Sequence, residues 1–245
     1  MNLPRTPIRK QTYLISIGIK SLFFCFLFTL AANNQLKATD KAMPIKLPPP
    51  LINKERGLSD ILKMRYSCRD FSDKPLNLSQ VSALLWAAAG KSSDAITGAT
   101  RTIPSAGARY PLEVYLVSGK DSVTGLKAGL YHYSIEKESL EEIIDKDLRE
   151  ELSAASSGQN FIKEAAVSLI IAAKFPRTMS RYGDRGIRYV HMEAGHACQN
   201  IYLMSINLGL GTVEVGAFSD TALQKLLLMD KDTEILGLMP VGYAR

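Results

Sequence analysis

Three residues in the stretch RYSCRDF, residues 65–71, have the chemistry of an anion site: Arg65, Ser67 and Arg69. If the helix predicted just before them continues, Arg65 and Arg69 project the same way. Their guanidiniums then form a fork for a phosphate, and the Ser67 hydroxyl adds a hydrogen bond. Alone, such clusters usually lie on solvated faces. A second stretch, RTIPSAGARYP at 101–111, places a proline, two alanines, a serine and a glycine between Arg101 and Arg109. It reads either as a tight turn or as a backbone stripped of bulk, against which something flat and anionic lies.

Other motifs fall away on spacing. In HMEAGH, His191 and His196 are five residues apart, about 140° around a helix, so they share no face for a zinc ion. Packed or interface histidines are the better reading. GLGTVEVG follows a helix and precedes a strand, the reverse of a dinucleotide fingerprint. No P-loop and no G-x-S-x-G elbow occurs.

The elements that must hold these residues are legible in part. LSDILKMRYSCRDF predicts a short helix to about Tyr66, with Ser59 as its N-cap. LSQVSALLWAAAG predicts an amphipathic helix with Ser79 near its start and Gly90 as its stop. Residues 91–110 are small and polar and read as loop. Strands are predicted in LEVYLVSG, GLYHYSI, AVSLIIAAKF, GTVEVGAF and ILGLMPVGYA. Helices are predicted near 147–157 and 160–165, with a long one from about Ile187 to Leu208 that is apolar on more than one face, hence buried. Strands and helices do not alternate strictly, so the fold class is α+β.

The net charge of +6 on 245 residues is a property of the N-terminus. Residues 1–38 hold five basic and no acidic residues, leaving 25 basic against 24 acidic in the remainder. No nucleic-acid signature follows. A basic stretch, an apolar block from Ser21 to Ala32 and small residues beyond it read as a signal peptide or, uncleaved, as a membrane anchor. An exported, periplasmic or extracytoplasmic, or membrane-anchored protein is expected. Residues 39–55 are proline-dense and read as a linker, with the main domain at 56–245. Outside the apolar block, Cys68 and Cys198 allow one disulfide or two buried thiols, and their spacing fits no metal framework.

Taken in order, RYSCRDF, LLWAAAG, RTIPSAGARYPLEVYLV, GLYHY, RYGDRGIRYVHMEAGHACQNIYLMSINLGLG, VGAF and PVGYAR resemble the FMN-dependent nitroreductase family, most of all its SagB-type dehydrogenase branch. The resemblance spans about residues 56–245. It implies a nitroreductase-like fold, a central mixed sheet flanked by helices, in an intertwined homodimer with FMN at the subunit interface. By similarity, Arg65, Ser67 and Arg69 hold the FMN phosphate and ribityl chain. Pro104, Ser105, Ala106 and Gly107 come from the other subunit and lie along the flavin edge. Glu214, Val215 and Gly216 face the flavin N5 region, where a backbone N–H stabilises the reduced ring. Where the azoline-oxidising branch has a Lys-Tyr pair, this chain has Arg181 and Tyr182. Arginine stays charged and cannot serve as a base, whereas Tyr182 can still donate a proton. The implied activity is electron transfer from a donor such as NAD(P)H to a small-molecule acceptor, a nitro or quinone compound. The alternatives are azoline peptide dehydrogenation and non-catalytic flavin binding at the envelope.

Overall fold

The computed structural model describes residues 42–94 and 98–245. Strand β1 (Ile45–Lys46) is followed by helix α1 (Leu58–Met64), strand β2 (Leu76–Asn77), helix α2 (Leu78–Ala89) and the hairpin strands β3 (Lys91–Asp94) and β4 (Gly98–Arg101). A 3-10 turn (Ala106–Ala108) leads into β5 (Leu112–Ser118), β6 (Val123–Thr124), β7 (Gly129–Ser134) and β8 (Ser139–Ile144). Helices α3 (Arg149–Ala155) and α4 (Phe161–Glu164) precede β9 (Val167–Ala173). The chain closes with α5 (Phe175–Tyr182), α6 (Arg185–Asn207), β10 (Gly211–Thr212), α7 (Asp220–Leu226) and β11 (Glu234–Gly242).

The run VSLIIAA of β9 is buried at every position because both faces of its sheet are covered. Val167, Leu169, Ile171 and Ala173 point into one core with Leu84 and Leu85 of α2 and Val190, Ala197 and Ile201 of α6. Ile170 and Ala172 point the other way, onto Leu152 of α3, Ile162 of α4 and Leu223 of α7. The period-two alternation of a strand thus builds two cores from one segment. Each fully buried Leu or Ile contributes on the order of 2 kcal/mol. The result is a helix–sheet–helix sandwich with seven strands in the order β1-β8-β7-β5-β9-β11-β10.

Every neighbouring pair in that sheet is antiparallel, where the family resemblance implied a mixed sheet. Helix α2 starts at Leu78 under a capping box: the Asn77 side chain accepts the Gln80 N–H, and Gln80 accepts the Asn77 N–H. That reciprocal pair places the cap two residues before Ser79. The long helix begins at Arg185, two residues earlier than expected. GTVEVGAF yields only the two-residue β10 and a single bridge from Val215 to Leu238.

The segment read as linker is partly built into the domain. Ile45 and Lys46 pair with Leu140 and Ser139 at the sheet edge. The Leu47 N–H donates to the Glu138 carbonyl, and Ser82 Oγ donates to the Pro48 carbonyl at 2.6 Å. Residues 45–48, upstream of the expected start at 56, are therefore part of the domain. Residues 1–38, read as a targeting segment, lie outside the described residues. No described helix is long and apolar enough to cross a membrane.

Candidate functional site

Helix α1 ends at Met64, and Arg65 is already extended at φ −63° and ψ 124°. A continuing helix therefore does not bring Arg65 and Arg69 to one face, as the sequence argument supposed. The non-helical segment 65–70 places them differently. Cys68 turns into the core, its N–H donating to the Thr212 carbonyl at 2.9 Å, while Ser67 and Arg69 stay exposed. The Arg65 guanidinium sits 5.2 Å from the ring centroid of Tyr202, at cation–π distance. Ser67 Oγ lies 3.2 Å from Tyr202 Oη, and that same hydroxyl accepts the Glu214 N–H at 2.8 Å. One buried tyrosine of α6 thus gathers Arg65, Ser67 and Glu214.

Around this knot, most backbone donors are already engaged. Val215 and Leu238 exchange N–H donors with each other's carbonyls, at 2.9 and 3.0 Å. The Gly216 N–H has no partner among the described residues, and a Cβ built on Gly216 would meet nothing within 4 Å. Of the three positions expected to offer an N–H to a ring, Gly216 is the one left free to do so. Burial, then the nearby Glu214 carboxylate, hold the Cys198 thiol well above its ordinary pKa. Cys198 and Cys68 are both buried free thiols.

A second group forms where α5 meets the stretch 104–111. Gly107 has φ +58°, and a Cβ built on it would lie 2.6 Å from Tyr182 Oη and 3.2 Å from Arg181 Nη1. The absence of bulk at Gly107 is therefore what lets Arg181 and Tyr182 close on this loop. Ala108 and Tyr110 are also left-handed, at φ 52° and 46°, a strained arrangement that the surroundings must hold. They do so through Ser105 Oγ, which accepts the Tyr110 N–H at 2.8 Å, and through Arg177 Nη1, which donates to the Tyr110 carbonyl at 3.1 Å. Arg109 Nε donates to the Arg177 carbonyl at 2.9 Å, lacing the loop to α5. Arg177 is fixed in turn by Glu113 of β5, which also pairs with His132 Nε2 at 2.7 Å. Burial alone would raise the Glu113 pKa. The His132 hydrogen bond and the Arg177 charge outweigh it, so the carboxyl titrates below its usual range.

Beneath the loop, a cleft of about 270 Å³ is lined by Pro104, Ser105 and Ala106 and by Tyr189, Met192, Glu193 and His196 of α6. Glu193 is 3% exposed. Burial raises its carboxyl to about 7, while the Ser105 hydroxyl within reach pulls the other way. The other motif histidine, His191, packs edge-on against Phe175 with ring centroids 5.5 Å apart.

Within one chain the two groups stay apart. Glu193 and Tyr202 are nine residues apart on α6, which is about 13 Å along the axis and about two and a half turns, so they face opposite ways. No hydrogen bond, ion pair or ring contact joins the Arg69 side chain to either group among the described residues. Sequence reasoning missed Tyr202, Glu193 and the Glu113–Arg177 brace. The first two had one signal: a hydroxyl and a carboxyl set into a helix that had to be buried, where each needs a partner.

The chain matches the nitroreductase family over residues 62–243. The chain belongs to that family. It is 46% identical over 200 residues to a nitroreductase-like protein of Methanocaldococcus jannaschii, covering 82% of this chain and 96% of the relative. It is 32% identical over 165 residues to the trifolitoxin-processing protein TfxB of Rhizobium leguminosarum, covering 63% of this chain but only 44% of that one. A crystal structure of a nitroreductase-like protein from Ralstonia eutropha superposes with a TM-score of 0.71 at 27% identity, covering 99% of both chains. These matches bear out the family resemblance and the nitroreductase-like fold, and they support an oxidoreductase.

Proposed function

We propose that the chain is an FMN-dependent oxidoreductase that passes electrons from a nicotinamide donor to an organic acceptor such as a nitro or quinone compound. The observation that carries this reading is a pair of guanidiniums, Arg65 and Arg69, without a carboxylate partner among the described residues. Arg65 lies on the Tyr202–Ser67–Glu214 knot, and Asp70 beside Arg69 pairs instead with Arg245 at 3.5 Å. Unneutralised arginines, Arg65 half-buried against Tyr202 and Arg69 exposed four residues on, fit the terminal phosphate of a mononucleotide.

Bound there, FMN would supply reversible two-electron chemistry that no side chain here supplies. Arg65, Ser67 and Arg69 would hold its phosphate and ribityl chain, and the Gly216 N–H would face the ring. Pro104, Ser105, Ala106 and Gly107 offer a low-bulk surface for a planar edge. Tyr182 carries an exchangeable proton at Oη beside Gly107, and Arg181 places a fixed positive charge next to it. The two groups lie on opposite faces of α6. A two-fold pair of chains would therefore complete each site, with the first group from one chain and the second from its partner.

A second reading, azoline peptide dehydrogenation, draws on the likeness to the trifolitoxin-processing protein. Arg181 weighs against it, since a guanidinium cannot take up a proton. A third, flavin binding without turnover, has no feature of its own in its favour. We also read residues 1–38 as an export signal or membrane anchor, which mass spectrometry of the N-terminus in membrane and soluble fractions would decide.

The deciding experiment is an absorption spectrum of the purified protein, followed by anaerobic addition of NADH or NADPH. Flavin bands that bleach with a nicotinamide support the reading. A protein that gains no flavin spectrum in excess FMN overturns it. Bands that persist with both nicotinamides shift the weight to the other two readings.

A further inference from the structure

Glu193 is a buried carboxyl that forms no ion pair among the described residues, and it lies under the strained loop. The charged and titratable groups that face it are few. From its own helix these are Tyr189 and His196, which share the Ser105 cleft. From the chain around β4 they are Arg101 and Tyr110, across a second small cleft. Arg101 is already committed, donating to Glu136 Oε1 at 2.7 Å and to the Ala89 carbonyl at 3.3 Å. It also stacks on the Tyr110 ring, its guanidinium carbon 5.3 Å from the centroid. No ion pair reaches Glu193 among the described residues, and Ser105 lines the same cleft as its side chain.

A serine hydroxyl has one hydrogen to give and two lone pairs to receive. At Ser105 one lone pair is permanently taken by the Tyr110 N–H. When Glu193 is ionised, the carboxylate can only accept, so the Ser105 hydrogen is drawn inward to it. When Glu193 is protonated, its own O–H donates to the second lone pair of Ser105. The Ser105 hydrogen is then released toward the cleft. We propose that Glu193 is a positioning residue whose protonation decides whether Ser105 presents a hydrogen-bond donor to the ligand of the 104–107 loop. This rests on the flavin-binding reading for the identity of that ligand, whose ring carbonyls and nitrogens would accept the donor. The titration itself is a property of the protein alone. The raised pKa of Glu193, about 7, puts the exchange in the neutral range.

The consequence is that FMN binds more tightly as pH falls through neutrality, by about three- to tenfold, the worth of one hydrogen bond. Two variants freeze the switch in opposite senses. Glu193→Gln removes the titration and supplies an amide N–H that, like the protonated acid, can donate to Ser105 at every pH. In Ser105→Ala no donor exists.

The test uses the full-length protein from about pH 5.5 to about pH 8.5, with two readouts. In the first, without flavin, the Tyr110 amide resonance is followed by NMR, because its N–H is bonded to Ser105. It should titrate near neutrality in the wild type and in His196→Asn, and stay flat in Glu193→Gln. In the second, FMN dissociation constants are measured by fluorescence. They should show the pH step in the wild type, a tight pH-independent value in Glu193→Gln and a weak one in Ser105→Ala. A Tyr110 amide that titrates unchanged in Glu193→Gln, or loses its titration in His196→Asn, overturns the inference. So does Glu193→Gln binding as weakly as Ser105→Ala. Should no variant bind FMN at any pH, the flavin reading fails, and the Tyr110 titration still decides the switch.

Discussion

Replacing Gly107 with alanine separates a backbone effect from a site effect. Gly107 is left-handed at φ +58° and ψ 26°, a conformation that costs an alanine about 1–2 kcal/mol. Gly158 is also left-handed, at φ +70°, but a Cβ there meets nothing within 4 Å. Both alanine variants should therefore lose about 1–2 kcal/mol of stability, measured by denaturant unfolding. Only at Gly107 does the new methyl collide, falling 2.6 Å from Tyr182 Oη and 3.3 Å from Arg181 Cδ. Both obstacles are far ends of flexible side chains, so the clash adds little to the stability loss and instead displaces the Tyr182 hydroxyl by about an ångström. A misplacement of that size at a proton donor costs turnover on the order of a hundredfold. The assay is steady-state turnover with the nicotinamide and acceptor that prove active, with Tyr182→Phe as benchmark. Gly107→Ala should fall toward Tyr182→Phe while Gly158→Ala stays near wild type, and the double variant should add no further loss. If Gly107→Ala turns over like Gly158→Ala while Tyr182→Phe is slow, the contact between the loop and the tyrosine has no part in function.

Arg65→Ala should weaken FMN binding by about 1.5–3 kcal/mol, roughly ten- to a hundredfold, whereas Arg181→Ala should leave flavin content near wild type and change turnover. Equal dissociation constants for wild type and Arg65→Ala would remove the phosphate role. Tyr202→Phe removes the acceptor of the Glu214 N–H and the partner of Ser67, so thermal melts should show a loss of about 1–2 kcal/mol together with weaker flavin retention. Because the Glu113 pKa is depressed in the folded state, its stabilisation is present above the unfolded value and is lost as pH falls through the folded one. Glu113→Gln should therefore cost about 1–3 kcal/mol near pH 7, and the difference from wild type should shrink steadily in melts below about pH 4.

The sequence revealed most where burial is two-sided or strictly one-sided. LEVYLVSG, AVSLIIAAKF and ILGLMPVGYA were legible because a core strand must be apolar, and LSQVSALLWAAAG because a helix face must be. SLEEII was not read as a strand, since β8 lies second from the sheet edge and its two adjacent glutamates and exposed Ile143 break any period-two alternation. FPRTMSRY carries a proline that reads as a breaker, yet proline is tolerated in the first turn of α5, where its missing N–H has no helical partner. The β3–β4 hairpin is polar and pairs only with itself, so no hydrophobic pattern marks it. At the site, the Arg65, Ser67 and Arg69 cluster was visible by residue type, but its geometry was misjudged because the helix stops one residue before it. Tyr202 and Glu193 were hidden inside an apolar helix, and only the tertiary contacts tell a satisfied hydroxyl from one that organises two segments.

The two-residue strand β1 also guards the domain against self-association. Ile45 and Lys46 satisfy backbone groups of Leu140 and Ser139 that would otherwise face solvent, and Leu47 packs into the core beside them. An unpaired sheet edge of this kind is a template onto which another chain can add a strand. A shortened protein beginning at Leu51 would keep both groups of the site yet bare part of that edge, next to the partly exposed Ile143 of the same strand. Its first fault would be edge-to-edge aggregation during refolding, seen as concentration-dependent light scattering, rather than any loss of chemistry. A shortened protein that begins at Ala42 keeps the cover.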